Sequence, residues 1–164
     1  MTSIAWHELT HASQLQRMKG EKNLVWASSH WSAIVCQEAS NAISSPTGNP
    51  YGKKGDDNWQ IIALAEGWAN YRQWFLSKKH LSWNSISADT WSKRPYSPSD
   101  YTDSSLGFPL YYTKMFEALE GLGCSALNIE RSLCAHSVTE FRNNLIARHP
   151  NLRNNITSII SPYE

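Results

Sequence analysis

Five consecutive residues near the start of the sequence, His7-Glu8-Leu9-Thr10-His11, have the types and the spacing that can hold and use a metal ion. In a helix, residues four apart lie one turn above each other, so both imidazole rings can face one cation. Glu8 then lies about 100° around the helix axis, beside the metal rather than on it. The pattern predicts a zinc site with His7 and His11 as ligands and Glu8 as general base.

A catalytic zinc site needs a third protein ligand and keeps a fourth position open for water. Glu66 is the candidate, because it is the single charged residue of Ala-Leu-Ala-Glu-Gly-Trp-Ala-Asn-Tyr, residues 63–71. A lone carboxylate is costly to bury, and coordination to a cation removes that cost. Two alternatives stay open for Glu66: a partly exposed helix edge, or a pair with Arg72 or another arginine. For the first motif, the alternative is an ordinary amphipathic helix with exposed polar residues.

Both motifs fall on predicted helices. The first spans residues 3–19, with Ser3 as a cap and Gly20 as a stop. The second spans residues 57–80, with Asp57 or Asn58 as a cap and basic residues in the last turn. Further helices are predicted over residues 24–42, 108–120, 125–133, 137–148 and 151–160, the last but one opened by the capping box Ser137-Val138-Thr139-Glu140.

The remaining segments read as loops, and no alternating strand pattern or internal repeat is found. Residues 43–58 are rich in Pro and Gly. Residues 81–107 are rich in Ser, Asp, Pro and Tyr, and their apolar residues follow neither helical nor strand periodicity. The fold class is therefore predicted to be mainly α. We expect residues 1–164 to form one helical domain, with the motif helix at its amino terminus.

Composition restricts the partners. Fifteen basic and 14 acidic side chains give a net charge of +1 with no long block of either sign, so nucleic acid is not expected as a partner. No stretch reaches the roughly 18 apolar residues of a membrane span. The three cysteines show no Cys-x-x-Cys spacing, and we expect all three to be small buried residues.

The two motifs together, His-Glu-Leu-Thr-His and Ala-Glu-Gly-Trp-Ala, resemble those of the gluzincins, the thermolysin-like branch of the zincin metallopeptidases. The resemblance covers mainly residues 3–19 and 60–76. It implies a zinc-dependent peptidase acting on peptide or protein substrates, with His7, His11 and Glu66 as ligands and Glu8 as base. It also implies a helical bundle similar to the carboxyl-terminal lobe of a zincin. The resemblance suggests an exported or cell-surface location, but the sequence shows no signal peptide, so the location stays open.

The resemblance raises further expectations. Asn70 stands where several gluzincins place an acidic residue that orients the first histidine, and its amide oxygen can accept the same hydrogen bond. Zincins also have a sheet before the motif helix, so an upstream domain or a partner chain is expected to complete the cleft. The alternative function is a zincin-derived metal-binding module without catalytic activity. By residue type, the candidates for stabilising the oxyanion are Tyr112, His136, Tyr71 and Tyr111.

Overall fold

The computed structural model describes residues 3–44, 51–52, 55–80 and 111–164. These residues form seven α-helices and no strand, which confirms the mainly α fold class. No helix in these ranges has both the length and the apolar content needed to cross a membrane. The predicted loop over residues 81–107 and the predicted helix start at Phe108 lie outside the described residues. The helices are α1 (Ser3–Glu21), α2 (Leu24–Ser44), α3 (Trp59–His80), α4 (Thr113–Gly121), α5 (Ala126–Ser132), α6 (Val138–Arg148) and α7 (Arg153–Ile160).

The end of α1 corrects one prediction, because the helix continues through Gly20 to Glu21. Gly20 is not among the glycines with positive φ, so it does not serve as the predicted stop. The chain turns instead at Asn23, whose side-chain oxygen accepts a hydrogen bond from the backbone N–H of Trp26 at 2.8 Å. Asn23 thereby caps the start of α2, and the turn makes α1 and α2 an antiparallel hairpin.

The carboxyl-terminal helices begin and end with local signals. The Ser125 side chain caps α5 by accepting from the backbone N–H of Asn128, and Ser137 caps α6 by accepting from Glu140. The Glu140 carboxylate returns to the backbone N–H of His136, one residue before the expected partner. After α4, Gly123 adopts φ +100°, a conformation that closes a helix end at little cost only for glycine.

Helix α3 lies at the centre of the fold. Every residue from 61 to 71 is buried, so the helix is covered on all sides. Trp68 packs edge-to-face on Phe116 of α4, and Phe116 packs on Phe141 of α6. On the other side α3 is covered by α1, so the two motif helices lie in direct contact.

A partly buried carboxylate on α5 fixes the position of α1 against α3. Glu130 accepts hydrogen bonds from Ser13 of α1 at 2.9 Å and from the indole N–H of Trp68 of α3 at 3.2 Å. At the end of α1, Glu21 pairs with Arg131 at 3.0 Å and with Arg148 at 2.7 Å. These contacts join the motif helix to the carboxyl-terminal helices, and so they hold its histidines in place relative to α3.

The cysteines follow the prediction in part. Cys124 and Cys134 are buried and unpaired, as expected for small core residues. Cys36 is exposed on α2, so the prediction for that residue is wrong.

His30 on α2 gives the fold a predicted sensitivity to acid. It is buried against Trp26 and His136, and burial together with the charge of His136 lowers the pKa of His30 to about 4. In the unfolded chain a histidine titrates near about 6.5, so between these values the unfolded state binds the proton more tightly. Stability is therefore lost as the pH falls from about 6.5 towards about 4.

We expect the wild type to lose about 2 kcal/mol more than His30→Phe between pH 7.5 and pH 5, since the variant cannot take up this proton. Urea unfolding of both proteins at the two pH values measures the difference. Using the difference between proteins removes the contribution of all other titrating groups. Parallel pH dependence of the two proteins would contradict the prediction.

Candidate metal centre

The structure brings His7, His11 and Glu66 together. The Nε2 atoms of His7 and His11 lie 3.0 Å apart, as expected for histidines one turn apart on α1. The two carboxylate oxygens of Glu66, on α3, lie 3.3 Å from His7 Nε2 and 3.0 Å from His11 Nε2. One ligand atom from each residue falls within 4.8 Å of the other two. No other group of this kind occurs among the described residues.

Glu66 is held by the two histidines and not by an arginine. It is 6% exposed, which rules out an exposed helix edge, and Arg72 pairs instead with Glu120 at 3.0 Å. Burial alone would raise the pKa of Glu66, but hydrogen bonds from His11 and His7 and the charges of both rings lower it to about 2. Burial likewise acts to lower the pKa of His11, and Glu66 outweighs it, so that pKa is raised.

Gln14 fixes the orientation of His11, a role that the sequence analysis did not assign. Its amide nitrogen donates to the backbone carbonyl of Ala65 at 2.9 Å, and its amide oxygen lies 3.0 Å from His11 Nδ1. Because the carbonyl can only accept, the amide orientation is determined, and the Gln14 oxygen must accept from Nδ1–H. Neutral His11 therefore keeps a lone pair on Nε2, directed at the centre of the group. The sequence did contain a sign of this role, because Gln14 follows His11 by three residues and so lies on the same helix face.

Replacing Gln14 with leucine is expected to weaken zinc binding about 10- to 100-fold, the usual loss when a partner of a metal-bound histidine is removed. Leucine fills similar space but leaves the His11 ring free to rotate or change tautomer. Competition with a chromogenic chelator measures the affinity. The matched control is Gln16→Leu, which changes an exposed glutamine of the same helix. Unchanged affinity in Gln14→Leu would contradict the orienting role.

Glu8 follows His7 directly on α1. It is exposed beside the buried group, and its charge acts on both His11 and Tyr51. It is not a member of the three-residue ligand group. An exposed carboxylate next to a metal position can exchange protons with water and with a substrate, which is what a general base requires.

Tyr51 is a second residue that the sequence analysis did not identify. It lies in the short segment between α2 and α3, and its hydroxyl forms a hydrogen bond with Glu66. Burial and the negative charge of Glu66 raise the pKa of the Tyr51 hydroxyl, which therefore stays protonated and donates. The next residue, Gly52, has φ +73°, and a Cβ there would meet the Asn41 side chain at 2.6 Å. Glycine thus allows the segment to lie close against α2.

Three of the four oxyanion candidates chosen by residue type contact residues outside the group of His7, His11 and Glu66. The Tyr71 hydroxyl donates to Glu120, and the Tyr112 hydroxyl donates to the backbone carbonyl of Tyr163 at 3.0 Å. Tyr111 is buried beside Tyr112, at the start of α4. His136 is exposed and packs on Trp26 and His30 of α2.

Asn70 does not make the contact expected of it. It is buried on α3, one turn after Glu66, but within the described residues no hydrogen bond joins it to His7. Its amide nitrogen is buried without a partner in that part of the chain.

Aromatic side chains line both the candidate metal centre and a separate cavity. The ring of Trp31, on α2, packs edge-to-face on His11 with centroids 5.2 Å apart, so it forms part of the wall of the candidate metal centre. A separate cavity of about 810 Å³ lies at the end of α3, between Trp74 and the turn after α4, and none of the three ligands lines it.

Comparison of this chain with protein-family models, with curated proteins and with solved structures finds no match.

Proposed function

We propose that this chain is a zinc-dependent peptidase in which His7, His11 and Glu66 hold the metal. The observation that carries the proposal is the convergence of the two Nε2 atoms and the Glu66 carboxylate within 3.0 to 3.3 Å of one another. Two of these residues lie four apart on one helix, and the third comes from a helix much later in the chain. Such a group of two partly buried imidazoles and one buried carboxylate is a donor set that zinc binds.

The spacing of the donor atoms supports zinc. Ligand atoms at about 2.1 Å from a tetrahedral zinc ion lie roughly 3.4 Å from one another. The measured 3.0 and 3.3 Å separations need only small side-chain shifts to reach that value. Among the described residues the donors number three, and a zinc ion held by three protein donors keeps its fourth position for water, as in catalytic rather than structural zinc sites.

The residues around the ligands supply the remaining chemistry. When bound, zinc lowers the pKa of the attacking water towards about 7 and polarises the carbonyl of the scissile bond. Glu8 accepts a proton from the attacking water and later donates it to the leaving amine. The Tyr51 hydroxyl, which hydrogen-bonds Glu66 in this structure, donates instead to the carbonyl oxygen of the substrate as negative charge develops there.

Replacing Tyr51 with phenylalanine is expected to lower the kcat of zinc-saturated protein about 10²- to 10³-fold, because the variant loses one donor to the developing charge. It should also weaken zinc binding by up to about 10- to 100-fold, since the hydroxyl is an outer partner of Glu66. Steady-state kinetics and a zinc titration measure the two effects. Tyr112→Phe is the control, since it removes a hydroxyl that donates to a backbone carbonyl away from the ligands. An equal loss of kcat in both variants would show that Tyr51 has no special role.

The proposed activity is tested by following hydrolysis of an unstructured protein such as casein. We expect purified protein to contain about one zinc per chain and to cleave the substrate. A chelator should abolish cleavage, and added zinc should restore it. Protein that binds no zinc, or zinc-loaded protein that cleaves nothing, would overturn the proposal.

One observation favours a second candidate, a metal-binding module without catalytic activity. Within the described ranges no strand is present, so no sheet edge is seen there for pairing with an extended substrate. The same experiment separates the two candidates. Stoichiometric zinc without any hydrolysis would favour the module.

A further inference from the structure

The cavity at the end of α3 is large enough to hold a small molecule. Its volume of about 810 Å³ falls within the range of roughly 300 to 1,000 Å³ that is usual for ligand pockets in proteins. It lies between the last turns of α3 and the turn that joins α4 to α5. Because His7, His11 and Glu66 do not line it, the cavity is separate from the candidate metal centre.

Three aromatic rings of α3 form one wall of this cavity, here called the aromatic wall. They belong to Tyr71, Trp74 and Phe75, and the centroid of the Tyr71 ring lies 6.0 Å from each of the other two centroids. Gly121 and Gly123 also line the cavity, and a Cβ on either would meet nothing within 4 Å, so both border open space. Aromatic rings pack well on the flat rings of a ligand in offset or edge-to-face contacts. The aromatic wall therefore fits a ligand with a flat apolar body.

The two acidic residues that line the cavity already have partners. Both oxygens of Glu120 are used, since one accepts from the Tyr71 hydroxyl and the other pairs with Arg72 at 3.0 Å. Glu117 pairs with Lys114, three residues before it. Each of these negative charges is thus balanced within the protein, and neither requires a cation from a ligand.

Three donors of the cavity, by contrast, lack an acceptor in the part of the chain that the structure describes. Lys78 and Lys79 line the cavity and are exposed, and no carboxylate there pairs with either. The Trp74 side chain is 8% exposed, and its indole N–H is buried without an acceptor. The Lys78 Nζ atom lies 5.0 Å from the centroid of the Trp74 ring, so one group can reach both donors. A buried donor without an acceptor is costly, and a ligand that supplies an acceptor removes that cost.

We propose that this cavity binds a small aromatic carboxylate. The ring of the ligand packs on the aromatic wall. One carboxylate oxygen accepts from the Trp74 indole N–H, and the other faces the ammonium groups of Lys78 and Lys79. A carboxylate carries both the acceptor oxygens and the negative charge that these donors require, whereas both lysines would repel a cationic ligand. The site goes beyond the proposed peptidase activity and does not depend on it.

The test compares 2-naphthoate with 2-naphthalenemethanol, an uncharged analogue of nearly the same shape, by calorimetry on the full chain. We expect the carboxylate to bind about 10-fold more tightly than the alcohol, and the difference to shrink as salt is added. Lys78→Met should weaken binding of the carboxylate about 3- to 10-fold and leave binding of the alcohol unchanged. The matched control is Lys22→Met, which removes an exposed lysine that lies over the ring of a different tryptophan, Trp26, at 5.7 Å. This control should change neither affinity.

Trp74→Phe tests the buried donor, because it keeps an aromatic ring and removes the indole N–H. The readout is the ratio of the affinities for the carboxylate and for the alcohol, which cancels any general loss of packing or of folded protein. We expect this ratio to fall about 5- to 10-fold, the usual loss when a hydrogen bond to a charged group is removed. An unchanged ratio would contradict the role of the indole and overturn the proposed binding mode.

Carboxylates also bind zinc, so the measurement is repeated with His11→Ala, which removes a proposed metal ligand. Unchanged binding of 2-naphthoate to this variant supports the cavity, whereas loss of binding would place the ligand at the candidate metal centre and overturn the inference. Absence of binding to the wild type, equal affinity for the two compounds, or equal effects of Lys78→Met and Lys22→Met would also overturn it. Tighter binding of 2-naphthylmethylamine would show that the cavity selects a cation, with the same consequence. Each of these outcomes leaves the peptidase proposal standing, since casein hydrolysis tests that separately.

Discussion

Glu8→Gln is expected to retain zinc and to lose peptide hydrolysis by about 10²- to 10⁴-fold in kcat, the contribution that a positioned general base makes. Glutamine has nearly the same shape as glutamate, but it cannot accept a proton from the attacking water. Glu8 is exposed and outside the group of His7, His11 and Glu66, so its replacement should not disturb the three residues that we propose bind the metal. Metal analysis and steady-state kinetics on the same preparation measure both effects.

The matched control for this substitution is Glu117→Gln. Glu117 lies on α4 and pairs with the neighbouring Lys114 at the surface, away from the three ligands. Both variants lose one carboxylate from an accessible position, so the change in net charge is the same. If Glu8→Gln hydrolysed peptides as fast as the parent, the assigned base would be wrong.

Glu66→Gln is expected to weaken zinc binding by more than the roughly 10- to 100-fold that loss of an outer partner causes, because it removes a ligand charge. The amide is nearly isosteric, so the packing of α3 is preserved. The same change removes the anion that hydrogen-bonds both His7 and His11. Zinc competition titration measures the loss, and hydrolysis should disappear with the metal.

His11→Ala gives a second measurement of the same centre and should lose both zinc and activity. Gln73→Glu provides a contrasting variant, since it alters charge at a buried position of α3 without touching a ligand. Zinc affinity in Glu66→Gln equal to that of the parent would exclude Glu66 as a ligand and contradict the proposed centre.

The parts of the centre that sequence reasoning predicted are those with local causes. Helical geometry alone places His7 and His11 on one face, and a lone carboxylate in an apolar helix is conspicuous because it needs a partner. Helix starts such as Ser125 and Ser137 were also readable, since a cap and its N–H partner lie within three residues. Helix α3 carries apolar residues on all of its sides because it lies at the centre of the fold, where other helices cover it all round.

The parts that were missed depend on contacts between distant segments. Gln14 orients His11 only because α3 places the Ala65 carbonyl within reach of its amide. Tyr51 lies in a segment whose composition predicts only a loop, and its hydroxyl meets Glu66 because Gly52 lies against α2. The partners of the tyrosines chosen by residue type also lie far along the chain, since the Tyr71 hydroxyl donates to Glu120 and the Tyr112 hydroxyl donates to the backbone of Tyr163. Gly20 was predicted to end α1, but the helix continues to Glu21 and the chain turns at Asn23.

The distribution of the three ligands over two helices has a thermodynamic consequence. An ion bound by α1 and α3 together would tie the amino-terminal helix to the middle of the chain, as a cross-link does. At a free concentration 100 times the dissociation constant, such an ion adds about 2.7 kcal/mol to the free energy of unfolding. Chelation would then remove a structural cross-link as well as a catalytic ion. Helix α1 would be the first element to lose its attachment to the rest of the fold.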